Sequence, residues 1–224
     1  MITDLKIKVD SKLFNDALNS IPAIDFKLAI NIPTGNFFYD KWTIAPEFKG
    51  TAWEQILDTL PYAIGEARLI KLSKQECYMS HADIDNRWHL PIVLGKSFLV
   101  DLTTNTMHKL DVGHWYYMDA GRDHSAVNFG EAERIQLVVR ELLVHGNIAN
   151  KKLVTIKPCE DLPNLRYLFD NVYSPWLNKM NSSGLMDDFK IEGDSVSFEL
   201  DASVEIPTHK SFSVLQQNPQ GSLF

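Results

Sequence analysis

The chain has 224 residues, of which 45% are hydrophobic and 23% are charged. This composition is typical of a globular protein with a sizeable core, and it excludes collagen-like, coiled-coil and disordered chains. The formal net charge of −7 makes broad binding to nucleic acid or to an anionic membrane surface unexpected. Cys77 and Cys159 are too far apart in sequence for a CxxC motif, which predicts reduced thiols in a cytoplasmic protein. The N-terminus has no apolar segment typical of a secretory signal, and no apolar run approaches the length of a membrane span.

The first third of the chain predicts two helices and one strand. Apolar residues at helical spacing favour a helix over residues 11–21, with Ser11 as its N-cap. A second helix is predicted over residues 51–64, where Thr51 and Glu54 have the spacing of a capping box and Pro61 should end or kink the helix. Between the helices, residues 26–32 are typical of a strand.

From residue 66 the sequence changes to short segments rich in β-branched and aromatic residues, separated by turn residues. A hairpin is predicted between residues 98–102 and 107–110, and further strands after Gly113, at residues 124–128 and at residues 134–140. This spacing is typical of a sandwich or barrel rather than of βαβ units. We expect this domain, with its N-terminal helices, to occupy residues 1–148.

After residue 148 the strand pattern is expected to stop, and residues 149–224 are predicted to form a C-terminal α/β extension. Residues 164–180 have helical spacing interrupted at Pro175, and residues 189–191 and 196–200 predict a hairpin. The last nine residues, QQNPQGSLF, are expected to be loose.

The segment Ser80-His81-Ala82-Asp83 carries the first sign of chemistry. On a strand, residues i and i+2 face the same side, so His81 and Asp83 can point into one cavity. His124, which begins a predicted strand after a glycine-containing turn, is the best candidate for a third ligand. Two histidines and one carboxylate with open positions suit ferrous iron in oxygen-activating enzymes.

Arg134 follows His124 by ten residues and shares one strand face with Gln136. A guanidinium inside a β-barrel is costly unless an anion pairs with it, and a dicarboxylate would supply that anion. The alternative is a surface arginine paired with Glu131 or Glu133.

In this order, these segments resemble the aspartyl/asparaginyl β-hydroxylase-like family of iron(II)- and 2-oxoglutarate-dependent oxygenases, which includes bacterial proline hydroxylases. The resemblance runs from residue 67 to residue 143. It rests on the HxD motif, the Arg-x-His of RWHL, the glycine-aromatic strand GHWYYMD, the His-Ser-x-x-Asn motif and the arginine ten residues after the second histidine.

The resemblance implies a role for each matching residue. His81, Asp83 and His124 would hold Fe(II), and Arg134 would bind the far carboxylate of 2-oxoglutarate. His89 and Arg87 match residues of the cosubstrate pocket, where Arg87 could hold the cosubstrate or a substrate carboxylate. Animal β-hydroxylases have glycine in place of the HxD carboxylate, so Asp83 favours the bacterial members.

The expected fold is a double-stranded β-helix, the jelly roll of cupins, with N-terminal helices against one sheet. The expected activity is hydroxylation of a free amino acid or a peptidyl Asp, Asn or Pro residue, with O₂ as the other substrate. Two alternatives remain open at this point. One is a cupin-type metalloenzyme that does not use 2-oxoglutarate, and the other is a jelly-roll binding module without catalysis.

Overall fold

The computed structural model describes residues 2–160 and 164–217. Strands make up 41% of the structure and helices 16%, which confirms the prediction of a mainly β protein. The strands up to residue 142 are β1 (Ile2–Lys8), β2 (Lys27–Ala29), β3 (Asn31–Pro33), β4 (Trp42–Ile44), β5 (Ile64–Leu72), β6 (Arg87–Val93), β7 (Ser97–Asp101), β8 (Thr106–His108), β9 (His114–Met118), β10 (His124–Asn128) and β11 (Arg134–Glu141). The strands after it are β12 (Lys151–Pro158), β13 (Met186–Glu192), β14 (Ser195–Asp201) and β15 (Phe212–Gln217). The helices are α1 (Ser11–Asn19), α2 (Ala52–Leu57), α3 (Leu165–Val172) and α4 (Ser174–Ser182), with a short 3₁₀ turn at Pro46–Phe48.

Besides a two-stranded antiparallel sheet of β3 and β4, the first part of the molecule contains two large antiparallel sheets. The larger has the strand order β1-β9-β6-β11-β5-β2, and the smaller has the order β10-β7-β8. Residues 77–81 extend the smaller sheet beside β10 through two bridges, Cys77 with Val127 and His81 with His124. We call residues 77–81 the bridge segment.

The path of the chain between these two sheets identifies the fold. From β5 the chain passes to the bridge segment, returns to β6, crosses to the β7–β8 hairpin, returns to β9, crosses to β10 and ends in β11. The resulting orders, β5-β11-β6-β9 in one sheet and bridge segment-β10-β7-β8 in the other, are those of an eight-stranded jelly roll. The predicted double-stranded β-helix is therefore confirmed.

The outer face of the larger sheet packs against the N-terminal helices. Fully buried side chains of this core include Ala17 of α1, Trp53 and Ile56 of α2, and Leu69 and Leu137 of the sheet. Alternation along each strand then directs the intervening side chains to the interior of the jelly roll. Both faces of the larger sheet are thus buried, and its inner face is the one available for a site.

The first two helices differ from prediction at their ends. Asp10 rather than Ser11 is the N-cap of α1, because its carboxylate accepts hydrogen bonds from the backbone N–H groups of Lys12 and Leu13. Thr51 caps α2 as predicted, but the helix ends at Leu57, well before Pro61. The chain must reach the start of β5 at Ile64, so it leaves the helix early.

The predicted strand over residues 26–32 is divided into β2 and β3. Ile30 is the point of division: its N–H bonds to the carbonyl of Ala67, whereas its carbonyl accepts from Ala45. The side chain of Asn31 then bonds to the backbone of Gly65 and Ala67. Residues 26–32 therefore contribute β2 to the larger sheet and β3 to the two-stranded sheet with β4. The periodicity of the sequence alone does not indicate this division.

The expectation that the strand pattern stops at residue 148 is wrong. Strand β12 lies between β14 and β15 in a four-stranded antiparallel sheet with the order β13-β14-β12-β15. The predicted hairpin around Gly193 is present as β13 and β14, and the predicted break at Pro175 separates α3 from α4. The predicted loose tail begins within β15, and residues 218–224 lie outside the described part of the chain.

The structure divides into two compact units. One contains the chain up to His81 and from Asp85 to Leu142, and the other contains Ala82–Ile84 and the chain from Leu143 onward. Within residues 2–160 and 164–217, no helix has the length and apolar character needed to cross a membrane.

Candidate metal and anion site

The structure brings His81, Asp83 and His124 together. Each offers a ligand atom, and these atoms all lie within 4.8 Å of one another. The antiparallel bridge between His81 and His124 places the two imidazole rings side by side, with their centroids 4.5 Å apart. Two imidazole nitrogens and one carboxylate oxygen form a donor set that fits ferrous iron and leaves coordination positions open.

Backbone hydrogen bonds orient both imidazoles in the same way. Nδ1 of His81 lies 2.9 Å from the carbonyl oxygen of Met79, and Nδ1 of His124 lies 2.8 Å from that of Arg122. Donation from Nδ1 to a carbonyl selects the tautomer whose Nε2 carries the lone pair. Both histidines are therefore prepared to bind a cation through Nε2.

Asp83 reaches this cluster by a different route from the one predicted. His81 is paired with His124, but Asp83 lies outside any strand, so regular strand alternation does not align the two side chains. Residues 82 and 83 are irregular, and Ala82 between the two side chains is fully buried. The two side chains converge through this irregular segment instead.

A β-bulge in the bridge segment changes which side chains face the interior. His81 is four positions after Cys77, whereas their partners His124 and Val127 are only three positions apart. The extra residue interrupts the alternation of side chains. Tyr78 lies three positions before His81, so regular alternation would direct the two side chains to opposite faces. With the bulge, Tyr78 packs against the interior apolar cluster that includes Leu72, Leu99 and Met118.

The inner face of the larger sheet presents a second group of polar residues. In the register of β5, β11 and β6, Arg134 lies opposite Leu72, Gln136 opposite Ile70 and Pro91, and Val138 opposite Arg68 and His89. Residues directly opposite in an antiparallel pair point to the same face. Arg134, Gln136, His89 and Arg68 therefore share the interior face.

These interior residues have hydrogen-bond donors that the protein does not satisfy. Gln136 accepts a hydrogen bond from Arg134 through its oxygen. Among the described residues, Nε of Arg134, Nε2 of Gln136, Nε of Arg68 and the hydroxyl of Tyr78 are buried without a partner, as are both ring nitrogens of His89. Native proteins contain few such atoms, and here nearly all are donors. The missing partner is therefore rich in acceptors, as a carboxylate is.

Burial shifts the pKa values of this group in consistent directions. Desolvation, helped by the charge of Arg134, lowers the pKa of His89 to about 3, while the nearby Gln136 side chain opposes the shift. His89 is thus neutral at pH 7. Desolvation also lowers the pKa of Arg134 to about 10, so the guanidinium remains charged. His124 also contributes to lowering the pKa of His89, which places His89 near the metal-ligand candidates.

Arg134 is not the surface arginine that the alternative interpretation required, because its residue is only 2% exposed. Glu133 pairs instead with Lys71, and Glu131 accepts from Gln75. Arg134 has an electrostatic neighbour in Tyr78 rather than a carboxylate.

Arg87 and Arg140 form a separate charged group on the same face. Both are buried and both contact the carboxylate of Asp85. The guanidinium of Arg140 also lies over the rings of Phe37 and Phe38, 4.5 and 4.9 Å from their centroids. Strand alternation places Arg140 on the face of Arg134 and Gln136.

Sequence reasoning missed Tyr78, Arg68 and Asp85 as members of the interior. Arg68 could have been found, since it alternates with the outward Ala67 and Leu69 of β5. Tyr78 could not, because its orientation depends on the bulge.

No family model and no curated protein matches this chain. Among solved structures, the chain is similar to a cupin domain from Bordetella pertussis Tohama I, with 11% sequence identity and a TM-score of 0.32. The match covers 53% of this chain and 97% of the cupin domain.

Proposed function

We propose that this protein is an Fe(II)- and 2-oxoglutarate-dependent dioxygenase that hydroxylates an amino acid or an amino-acid residue. The observation that carries the proposal is the set of unsatisfied donors around Arg134, inside the same jelly roll whose strands position His81 and His124. A metal-binding jelly roll without an anionic cosubstrate has no use for a buried guanidinium among donors.

Each residue has a role in the proposal. His81, Asp83 and His124 hold the metal, Arg134 pairs with the far carboxylate of the cosubstrate, and neutral His89 offers one N–H as a donor. When bound, ferrous iron and 2-oxoglutarate supply the oxidative chemistry, in which 2-oxoglutarate, O₂ and R–H give succinate, CO₂ and R–OH.

Arg87 is proposed to bind a carboxylate of the cosubstrate or of the substrate. Its guanidinium is oriented by Asp85, so little rotational freedom is lost when an anion approaches. Arg87, His89 and Arg134 are all buried, so bulk water has little access to them. A cytoplasmic location, where thiols such as those of the exposed Cys77 and Cys159 remain reduced, is part of the same proposal.

The test is an anaerobic titration of the Fe(II) protein with 2-oxoglutarate, followed by the metal-to-ligand charge-transfer absorption of the complex. Loss of a bidentate charged pair costs roughly 2–5 kcal/mol, so Arg134→Ala should weaken binding by at least about tenfold. Arg134→Lys should recover only part of the affinity, because an ammonium does not reproduce the planar fork of a guanidinium.

Two controls separate the sites. Arg166→Ala removes an exposed arginine of α3 and should titrate like wild type. His81→Ala should lose affinity for Mn(II), a redox-inert substitute, whereas Arg134→Ala should keep it. If wild type shows no charge-transfer band while Mn(II) still binds, a cupin-type metalloenzyme without 2-oxoglutarate becomes the better account. If no metal binds either, the protein is a jelly-roll binding module.

A further inference from the structure

We infer that Tyr78 is a specificity-determining residue of the cosubstrate site, and that its hydroxyl donates a hydrogen bond to the far carboxylate of the bound 2-oxo acid. This inference rests on the proposed function and extends it. Arg134 belongs to the larger sheet, whereas Tyr78 belongs to the bridge segment beside the smaller sheet. The carboxylate would thus be held from both sheets.

The backbone of Tyr78 is fixed by β10. Its N–H donates to the carbonyl of Ala126 at 2.9 Å, and its carbonyl accepts from the hydroxyl of Ser125 at 2.7 Å. The ring packs against the interior cluster that contains Leu72, and Leu72 is the residue directly opposite Arg134 in β5. These contacts bring the tyrosine to the part of the interior where Arg134 lies, and the two residues interact electrostatically.

The hydroxyl at the end of this ring is buried and has no hydrogen-bond partner among residues 2–160 and 164–217. Burial raises the pKa of Tyr78; the charges of Arg134 and Arg68 oppose that shift, and the smaller effect of Glu76 adds to it. The group therefore stays a neutral O–H in the field of two cations. The Tyr78 hydroxyl cannot donate a hydrogen bond to either guanidinium, but it can donate one to an anion that the guanidinium groups also bind.

Arg68 strengthens the preference for an anion in this part of the interior. It forms an ion pair with Glu66 at 2.6 Å, yet its Nε remains without a partner. Glu66 offsets the charge of Arg68, whereas the guanidinium of Arg134 has no carboxylate partner among the described residues. A ligand that ends in a carboxylate completes the group, whereas one that ends in a methyl group leaves the donors of Arg134 and Tyr78 unsatisfied.

The test compares 2-oxoglutarate with 2-oxovalerate, which has the same chain length but ends in a methyl group. Both are titrated calorimetrically into the Mn(II)-loaded protein under anaerobic conditions. Tyr78→Phe should weaken 2-oxoglutarate by about tenfold or more, as expected for one lost hydrogen bond to a charged group, and should leave 2-oxovalerate nearly unchanged. The ratio of the two affinities within one variant does not depend on the fraction of folded protein.

Tyr173→Phe is the matched control, because its hydroxyl is also buried without a partner in the described structure, but in the C-terminal unit. Both variants should melt at or above the temperature of the wild-type apoprotein, since each removes an unsatisfied polar group. Only Tyr78→Phe should change the affinity ratio.

An unchanged ratio in Tyr78→Phe, with wild type binding 2-oxoglutarate normally, would overturn this inference and leave the proposed function intact. Equal affinity of wild type for the two ligands, or no binding of either, would instead contradict the proposed function.

Discussion

At the scale of single residues, burial changes the pKa and the hydrogen-bonding requirements of a polar side chain. Arg134 and His89 lie on the inner face of one sheet, and neither has a carboxylate partner within residues 2–160 and 164–217. Strand alternation predicted that Arg134 and Gln136 share a face, and the structure agrees. The protonation state of His89 could not be predicted, because it depends on complete desolvation and on neighbours from another strand.

The lowered pKa of His89 makes stability depend on pH. In the unfolded chain the imidazole has a pKa near 6.5, whereas in the folded protein it is about 3. Between these values the unfolded state binds more protons, so the free energy of unfolding falls as the pH falls from 6.5 toward 3. From pH 7 to pH 5 this one group accounts for a loss of about 2 kcal/mol.

We therefore expect His89→Gln to reduce the difference in unfolding free energy between pH 7 and pH 5 in the metal-free protein. Urea titrations at both pH values give the two free energies. The control His108→Gln removes a histidine of β8 that is only partly buried, and it should keep the wild-type difference. An equal difference in His89→Gln and wild type would show that His89 is protonated in the folded state at pH 5.

At the scale of secondary-structure elements, the local sequence predicted which segments are helices and strands better than it predicted their ends. The hairpin of β7 and β8 and the strand β10 follow the predicted pattern closely. The ends of α1 and α2 and the division between β2 and β3 do not, because they depend on partners distant in sequence. The bridge segment is the strongest example, since its bulge is defined only by its pairing with β10.

The N-cap of α1 gives a prediction at this scale. Asp10→Ala should lower the free energy of unfolding by about 1 kcal/mol, because two backbone N–H groups lose their acceptor. Ser11→Ala, one residue later, should change it by only a few tenths of a kcal/mol. Denaturant unfolding of both variants measures the effect. A larger loss in Ser11→Ala than in Asp10→Ala would restore serine as the cap.

At the scale of the whole molecule, the jelly roll was predictable because its strands are short, regularly spaced and separated by clear turns. The C-terminal sheet was not, because β12 and β15 are far apart in sequence and each alone is a weak strand signal. The metal-ligand candidates were identified from HxD and the later histidine, and their convergence within 4.8 Å agrees with that expectation. Their role as ligands stays a prediction.

The core between the N-terminal helices and the larger sheet should contribute most to the stability of the jelly roll. Leu137 is fully buried in β11, so Leu137→Ala should cost about 2–5 kcal/mol through lost burial and a residual cavity. Leu153→Ala in β12 removes a side chain that is 43% exposed and should cost far less. Thermal unfolding compares the two variants, and similar losses would contradict the burial of Leu137.

The unsatisfied groups around Arg134 are mostly hydrogen-bond donors, and this would affect turnover under the proposed function. Under the proposed function, donors that recognise a terminal carboxylate would not distinguish 2-oxoglutarate from succinate, which keeps that carboxylate after CO₂ is lost. Product release would therefore have to break the same contacts that captured the cosubstrate, and succinate would compete with the next molecule of 2-oxoglutarate. Acetate and citrate also carry carboxylates, so under the proposed function these buffer ions would compete for the same donors and lower the activity measured in such buffers.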